Sequence, residues 1–366
     1  MRRLLRSNGR IVAVVCFVTI IWLLAYTLEP RRTAYSCRTV GSCLGLTGRH
    51  YYRYALPVQR DLLQSEETLR DGTTKYRRQI DGAEPEVLFL ILSKDAASWS
   101  SDFRSGQRTP YDLMDLLVST GLNLTSVSVA MMTSSPDDFA TLKEATGTLP
   151  FARTTLLLRP DNKKSFDYGD RHKPSFQFAR RCVLATLRNY LMMSAVADER
   201  HIVWLDADVV ELSKGIVQTM IQHSETSSDA GIITAMCHQN QMVNYDKNAW
   251  KVNASQLLGI VADEHRQSAV KDLRETWLMV PELIDGTDDS SLVALDSVGG
   301  TILYIRSELV RQGLVFPYAN MVGTTWSQQG WVGVETEGIC YMARSLEGGG
   351  CFVLGGSHHV RHSDWG

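Results

Sequence analysis

The sequence predicts an α/β domain built on a central, mainly parallel sheet, and three of its features do so. Short, uninterrupted apolar runs recur along the chain, helical patterns lie between several of them, and charged residues follow some of the runs directly. A strand that is apolar at every position is buried on both faces, as in a sheet covered by helices on either side.

The first such run, 87–92, ends in Ser93-Lys94-Asp95. Similar runs follow at 127–132, 154–158, 202–205, 231–235, 301–305 and 351–354. Helical patterns cover 109–120 and 175–197, the second with Val183, Leu184, Leu187 and Leu191 at helical spacing. Ligands of such sheets bind beyond the carboxyl ends of the strands, so the residues just after each run carry the chemistry.

Upstream of this domain the texture differs. Arg2, Arg3, Arg6 and Arg10 precede a chargeless apolar stretch at 11–28. As a helix it spans ~27 Å, enough for a thin bilayer. The excess of positive charge before it places residues 1–10 in the cytosol and the remainder in the lumen. A cleaved signal peptide is the rival reading, but Ala25-Tyr26-Thr27 is a poor cleavage site. Residues 29–85 are polar and read as a stem, with one amphipathic helical pattern over 62–76, and 86–366 as the catalytic domain. Asn123 and Asn253 begin glycosylation sequons. Six cysteines lie outside the apolar stretch, with Cys37–Cys43 and Cys340–Cys351 as the local pairing options and free thiols as the alternative. A formal net charge of -2 gives no basic field for nucleic acid.

The strongest chemical signal is His201-Ile202-Val203-Trp204-Leu205-Asp206-Ala207-Asp208-Val209-Val210-Glu211. A buried strand delivers two carboxylates of like orientation at its carboxyl end. Such a pair can share a hard divalent cation whose other positions are left to water and substrate phosphates. In the helix just upstream, Arg181 and Arg188 share a face and suit bidentate bonds to a diphosphate. Ser93, Lys94 and Asp95 form a second candidate nucleotide contact. The tail holds His358, His359 and His362 after the last run. A histidine beside the two aspartates favours Mn²⁺ over Mg²⁺. Glu335 and Glu337 precede a helical pattern at 338–344, where the helix dipole favours them and where they can meet an acceptor hydroxyl or the donor sugar. Gly299-Gly300 allows close backbone approach of a substrate. Tyr245, Asp246, Asn248 and Trp250 offer a stacking face and polar groups of the kind that bind carbohydrate.

Taken in order, Arg188-Asn189 through Ser194-Ala195, Val203 through Glu211, Asn244 through Trp250, Val298 through Thr301, Glu335 through Gly338 and the closing His362 are similar to the fungal mannan-polymerase family of Golgi α-mannosyltransferases, over roughly 86–362. The resemblance implies a GT-A-like fold, type II membrane topology and Golgi residence. It implies transfer of mannose from GDP-mannose to a mannosyl glycan acceptor, α-1,6-linked and with retention, in N-glycan outer chains. It also implies Mn²⁺ (or Mg²⁺) at Asp206, Asp208 and His362, and hetero-oligomers with related mannosyltransferase subunits. Three features depart from the family pattern. Thr186 stands where a basic residue is common, Ile232 to His238 lacks the usual Pro-Asn before the Cys, and 285–291 is richer in Asp and Ser than expected. A non-catalytic subunit, a transferase with another nucleotide-sugar donor and a metal-dependent phosphatase are the competing readings.

Overall fold

The computed structural model describes residues 62–102, 106–160, 174–240, 242–252, 277–319 and 333–363. The predicted tail, apolar stretch and most of the stem, with Cys37, Cys43 and Asn253, lie outside them. Among the described residues no helix is long and apolar enough to cross a membrane.

The first half of the chain gives β1 (Leu62–Thr68), β2 (Thr74–Ile80), β3 (Val87–Leu92), β4 (Ser101–Asp102), β5 (Gly106–Gln107), α1 (Pro110–Ser119), β6 (Val127–Thr133), α2 (Pro136–Gly147), β7 (Arg153–Leu158) and α3 (Pro174–Ala195). Next come β8 (His201–Leu205), β9 (Val209–Leu212), α4 (Ile216–Thr226), β10 (Ile232–Thr234), β11 (Met236–His238), β12 (Trp250–Lys251), β13 (Leu278–Met279) and α5 (Val280–Ile284). The chain closes with β14 (Leu292–Ala294), β15 (Ile302–Arg306), α6 (Ser307–Arg311), α7 (Thr336–Ala343), β16 (Cys351–Leu354) and β17 (His359–His362).

Local chemistry sets several of these boundaries. The backbone N–H and hydroxyl of Thr109 both donate to Asp112 Oδ2, at 2.7 and 2.9 Å, and Pro110 opens α1 where its missing N–H costs nothing. Ser135 Oγ accepts from the Asp138 N–H at the start of α2.

Each apolar run becomes a strand, and ten strands form one sheet in the order β1-β2-β7-β6-β3-β8-β15-β10-β16-β14. β7, β6, β3 and β8 are mutually parallel, as are β10 and β16. β15 is antiparallel to both β8 and β10, β2 is antiparallel to β7, and β14 is antiparallel to β16. The sheet is therefore mixed, with a mostly parallel centre interrupted by β15. Alternation along β3 divides the core: Val87, Phe89 and Ile91 join the apolar faces of α1, α2 and α4, whereas Leu88 and Leu90 join those of α3, α6 and α7. The result is a sheet sandwiched between helices.

The helical pattern over 62–76 is overturned. β1 and β2 form a hairpin with unbroken register from Leu62↔Ile80 to Thr68↔Thr74, and β2 continues the sheet onto β7. Asp71-Gly72, with Gly72 at φ 83, makes the turn that a helix would not tolerate. Arg78 is buried and donates to the carbonyls of Thr146, Gly147 and Leu149 at the end of α2. The folded domain thus begins by Leu62, and the expected stem boundary at 85 moves upstream. Cys340 and Cys351 are disulfide-bonded, tying α7 to β16, and Cys182 and Cys237 are free thiols.

Candidate functional site

The carboxyl ends of β3, β6, β8, β10 and β16 lie along one edge of the sheet, where the antiparallel β15 begins. There, three strands continue from the main sheet and pair with one another in the order β11-β17-β9. β9 follows the Asp206–Asp208 turn, β11 follows β10, and β17 follows β16. Pairing of His362 with Val209 across β17 and β9 carries the C-terminal histidine to that turn.

Nε2 of His362 lies 3.0 Å from Oδ2 of Asp208, and the Ser363 N–H donates to the Asp208 carbonyl at 2.9 Å. His362 is buried, which opposes a charge on the ring, but the bond to Asp208 and the carboxylate field of Asp208 and Asp206 outweigh this and raise its pKa. Desolvation pushes the Asp206 carboxyl up to about 7, with Asp208 adding to the rise and the Arg188 guanidinium opposing it. Asp206 and Asp208 nevertheless keep 38% and 19% of their side chains exposed, so the pair opens to solvent. Tyr245 lays its ring against His362, 4.4 Å between centroids.

Arg188 reaches this turn from α3. Its Nη2 is 3.3 Å from Asp206 Oδ1, its Nε donates to Glu335 Oε1 at 2.9 Å, and its guanidinium lies over the Trp204 and Phe316 rings. Seven residues earlier, Arg181 donates to Glu337 Oε2 at 2.8 Å and to Asn248 Oδ1 at 2.6 Å. The two glutamates expected to meet an acceptor hydroxyl or the donor sugar are buried at the start of α7 and hold these arginines.

Three of the four expected acceptor contacts are likewise engaged inside the protein. Asp246 Oδ2 accepts from the N–H groups of Gly300 and Thr301 and from the Thr301 hydroxyl, at 2.7 to 3.1 Å. Asn248 receives Arg181. Trp250 is buried and stacked on Trp277, 3.9 Å between centroids, which leaves that face closed to a sugar. The Gly299-Gly300 pair does serve close approach, but of protein groups. A side chain at 299 would strike the Asp246 carboxylate, and one at 300 would lie 2.9 Å from Arg188 Nη2.

After β3, Asp95 caps a short turn by accepting from the Ala97 N–H at 3.0 Å, and the Lys94 carbonyl accepts from Ser134. Ser93 Oγ is buried and has no hydrogen-bond partner among the described residues. The parallel register Leu90↔Trp204 places this loop beside Asp206. In the tail, His358 Nε2 contacts the Asp289 carbonyl and His359 Nδ1 the Ser357 carbonyl, so of the three histidines only His362 meets the aspartates. Arg108 and Phe316 also stand at the site. No motif flagged either, because each acts from a loop that only the tertiary fold brings near.

The donor chemistry of Asp206, Asp208 and His362 suits a divalent cation that keeps open positions for oxygen ligands. Asp208 and His362 bond one another directly, and among the described residues no group of three or more His, Cys, Asp or Glu side chains is arranged to hold a metal ion, so protein ligands would be few and water or phosphate oxygens would supply the rest.

Because Asp246 binds backbone amides, Asp246→Ala is expected to cost about 2–4 kcal/mol by stranding the N–H groups of Gly300 and Thr301. Urea unfolding measures this. An unchanged midpoint, with only acceptor affinity lost, would restore the acceptor-binding role.

Comparison with known proteins agrees with the resemblance seen in the sequence. The chain is 28% identical over 214 residues to the mannan polymerase complex subunit mnn9 of Schizosaccharomyces pombe, covering 56% of this chain and 59% of that protein. It is 27% identical over 209 residues to the mannan polymerase complex subunit MNN9 of Candida albicans, covering 54% of each. The chain thus spans somewhat more than half the length of these curated relatives. Among solved structures, S. aureus TarS 1–349 aligns with a TM-score of 0.38 and 10% identity, over 76% of this chain and 60% of that one. The Anp1 family model matches residues 72–319, well over half the chain, and the protein belongs to the Anp1 family.

Proposed function

We propose that the chain is a GT-A-like glycosyltransferase that moves mannose from GDP-mannose to a mannosyl acceptor, with a divalent cation, Mn²⁺ or Mg²⁺, at Asp206, Asp208 and His362. The observation that carries this reading is the meeting of Asp208 and His362 at 3.0 Å, with Asp206 and Arg188 beside them, at the carboxyl end of β8. The names of the curated relatives support the mannan assignment and a place among related subunits in a hetero-oligomer. The α-1,6 linkage, retention of configuration and Golgi residence belong to the same reading and rest on the family resemblance, and the lumenal orientation rests on it and on the positive charge before 11–28.

When bound, the cation stabilises the charge that gathers on the departing diphosphate. Asp208 and His362 would hold it, with Asp206 as the third donor beside them. Arg188, fixed by Glu335 and stacked on Trp204, keeps positive charge beside the same point. The loop of Ser93, Lys94 and Asp95, beside Asp206 through the Leu90↔Trp204 register, is the proposed nucleotide contact. Tyr245, against His362, would border a cation held there.

The test is an assay of the full chain with GDP-mannose, Mn²⁺ and a short mannose acceptor. Transfer dependent on the cation is expected, and its absence with UDP-hexoses in place of GDP-mannose. Turnover unaffected by chelation would contradict the reading.

A second reading, a non-transferring subunit, has one observation in its favour. Both arginines expected at the diphosphate are already paired with glutamates, and Thr186 supplies no third cation. That reading predicts nucleotide binding without transfer.

A further inference from the structure

We infer that Arg108 is a positioning residue for the cation site: it sets the backbone on both sides of Asp208 and locks the loop after β3 to that turn. The inference rests on the cation reading given above.

Arg108 lies between β5 and α1 and is only 4% exposed. Its Nη2 donates to the Val209 carbonyl at 2.7 Å and its Nη1 to the Ala207 carbonyl at 3.1 Å, with the Trp99 carbonyl 3.4 Å from Nη1. Those first two carbonyls bracket Asp208. The carbonyl of Asp208 itself receives the Ser363 N–H. Three successive peptide units are therefore held, two by one charged group and one by the strand end that brings in His362. Fixing the peptides on either side of a residue fixes its φ and ψ, and with them the direction of its Cα–Cβ bond. For Asp208 that direction decides whether Oδ2 meets His362.

The Trp99 carbonyl ties the second segment. The Arg108 N–H donates to the Ser100 carbonyl at 3.1 Å, and Gln107 Nε2 donates to the same oxygen at 3.0 Å. Ser100 sits at φ 60, a left-handed conformation that a non-glycine residue adopts only when its surroundings enforce it. The loop carrying Ser93, Lys94 and Asp95 thus runs into a segment fastened to the Asp208 turn through a single guanidinium. A planar fork with a fixed charge can bridge carbonyls of two segments at once, whereas a lysine ammonium meets them as a single point.

Arg78 supplies the internal control. It is equally buried, at 3% exposed, and chelates the carbonyls of Thr146, Gly147 and Leu149 at 2.7 to 3.0 Å. It does so beyond α2, where the chain enters β7, at the opposite end of the sheet from the site.

The experiment measures Mn²⁺ binding to the full chain by calorimetry, with no nucleotide, alongside the melting temperature. Wild type, Arg108→Met, Arg108→Lys, Arg78→Met and Asp208→Ala are compared. Removing groups that orient a metal ligand costs about 10–100-fold in affinity, and a loss in that range is expected for Arg108→Met. Arg78→Met is expected to lose melting temperature while its Mn²⁺ affinity stays within about 2-fold of wild type, since it touches no ligand. Arg108→Lys keeps the buried charge and one bond, so it tests the inference even if the methionine variant does not fold. Its affinity is expected to fall between those of wild type and Arg108→Met. Wild-type affinity in both Arg108 variants, or an equal loss in Arg78→Met, would overturn the positioning role while leaving the cation site standing. Failure of wild type itself to bind Mn²⁺ would overturn the cation reading and this inference with it.

Discussion

Replacing Glu335 by alanine is expected to destabilise the protein by about 3–5 kcal/mol, the cost of leaving one partner of a buried ion pair uncompensated. Arg188 and Glu335 keep only 7% and 8% of their side chains exposed, and Nε donates to Oε1 at 2.9 Å. Without Glu335 the guanidinium retains Asp206 at 3.3 Å and the Trp204 and Phe316 faces. Glu335 also sits at φ 62 with its N–H donating to the Pro317 carbonyl, so the fold enforces an unfavourable backbone to put this carboxylate where it is. Urea unfolding of Glu335→Ala measures the loss. The double variant Arg188→Met with Glu335→Met is expected to regain part of it, since neither member of the buried pair is then left unpaired, while Asp206 losing its guanidinium limits the recovery. A midpoint for Glu335→Ala equal to that of wild type would show that this carboxylate is free to serve a substrate after all.

Asp208→Ala is expected to act in the opposite way, with a small effect on folding and a large one on ligands. Its side chain is partly exposed and, among the described residues, bonds only to His362, so the melting temperature should change little. Cation affinity should fall by about 100-fold or more, because even groups that merely orient a ligand are worth ~10–100-fold. A ligand that binds only the native state raises the melting temperature. The Mn²⁺-dependent rise expected with GDP-mannose in wild type should therefore vanish in Asp208→Ala. Persistence of that rise would remove Asp208 from the cation site.

How far the sequence reveals this protein depends on which contacts are local. β3 and β16 are read at their observed bounds, because a strand buried on both faces is apolar at every position. β1 escapes that logic. Six of its seven residues are exposed, so no face is marked, and a loose helical pattern covered it. The Asp71-Gly72 turn was the better signal. The antiparallel placement of β15 was not legible either, since an apolar run carries no direction. At the site, Asp206 and Asp208 were legible as carboxylates ending a buried strand, and His362 through the family resemblance. The structure supplies the pairing of β17 with β9 that brings them together. Glu335, Glu337, Asp246 and Trp250 were singled out as substrate contacts, yet their partners lie inside the protein. Arg188 and Glu335 are 147 residues apart, and nothing local in the sequence announces such a pair. Polar residues gathered near a ligand-binding edge look alike in sequence whether they touch the ligand or brace the groups that do.

The central claim is that a cation at the Asp206–Asp208 turn steadies a nucleotide diphosphate there. Calorimetric titration of the full wild-type chain with GDP-mannose, with and without Mn²⁺, tests it most directly. The account predicts tight, saturable binding with the cation and at least ~10-fold weaker binding without it, in line with several kcal/mol of charge stabilisation by a bound metal. Equal affinity under the two conditions would contradict it.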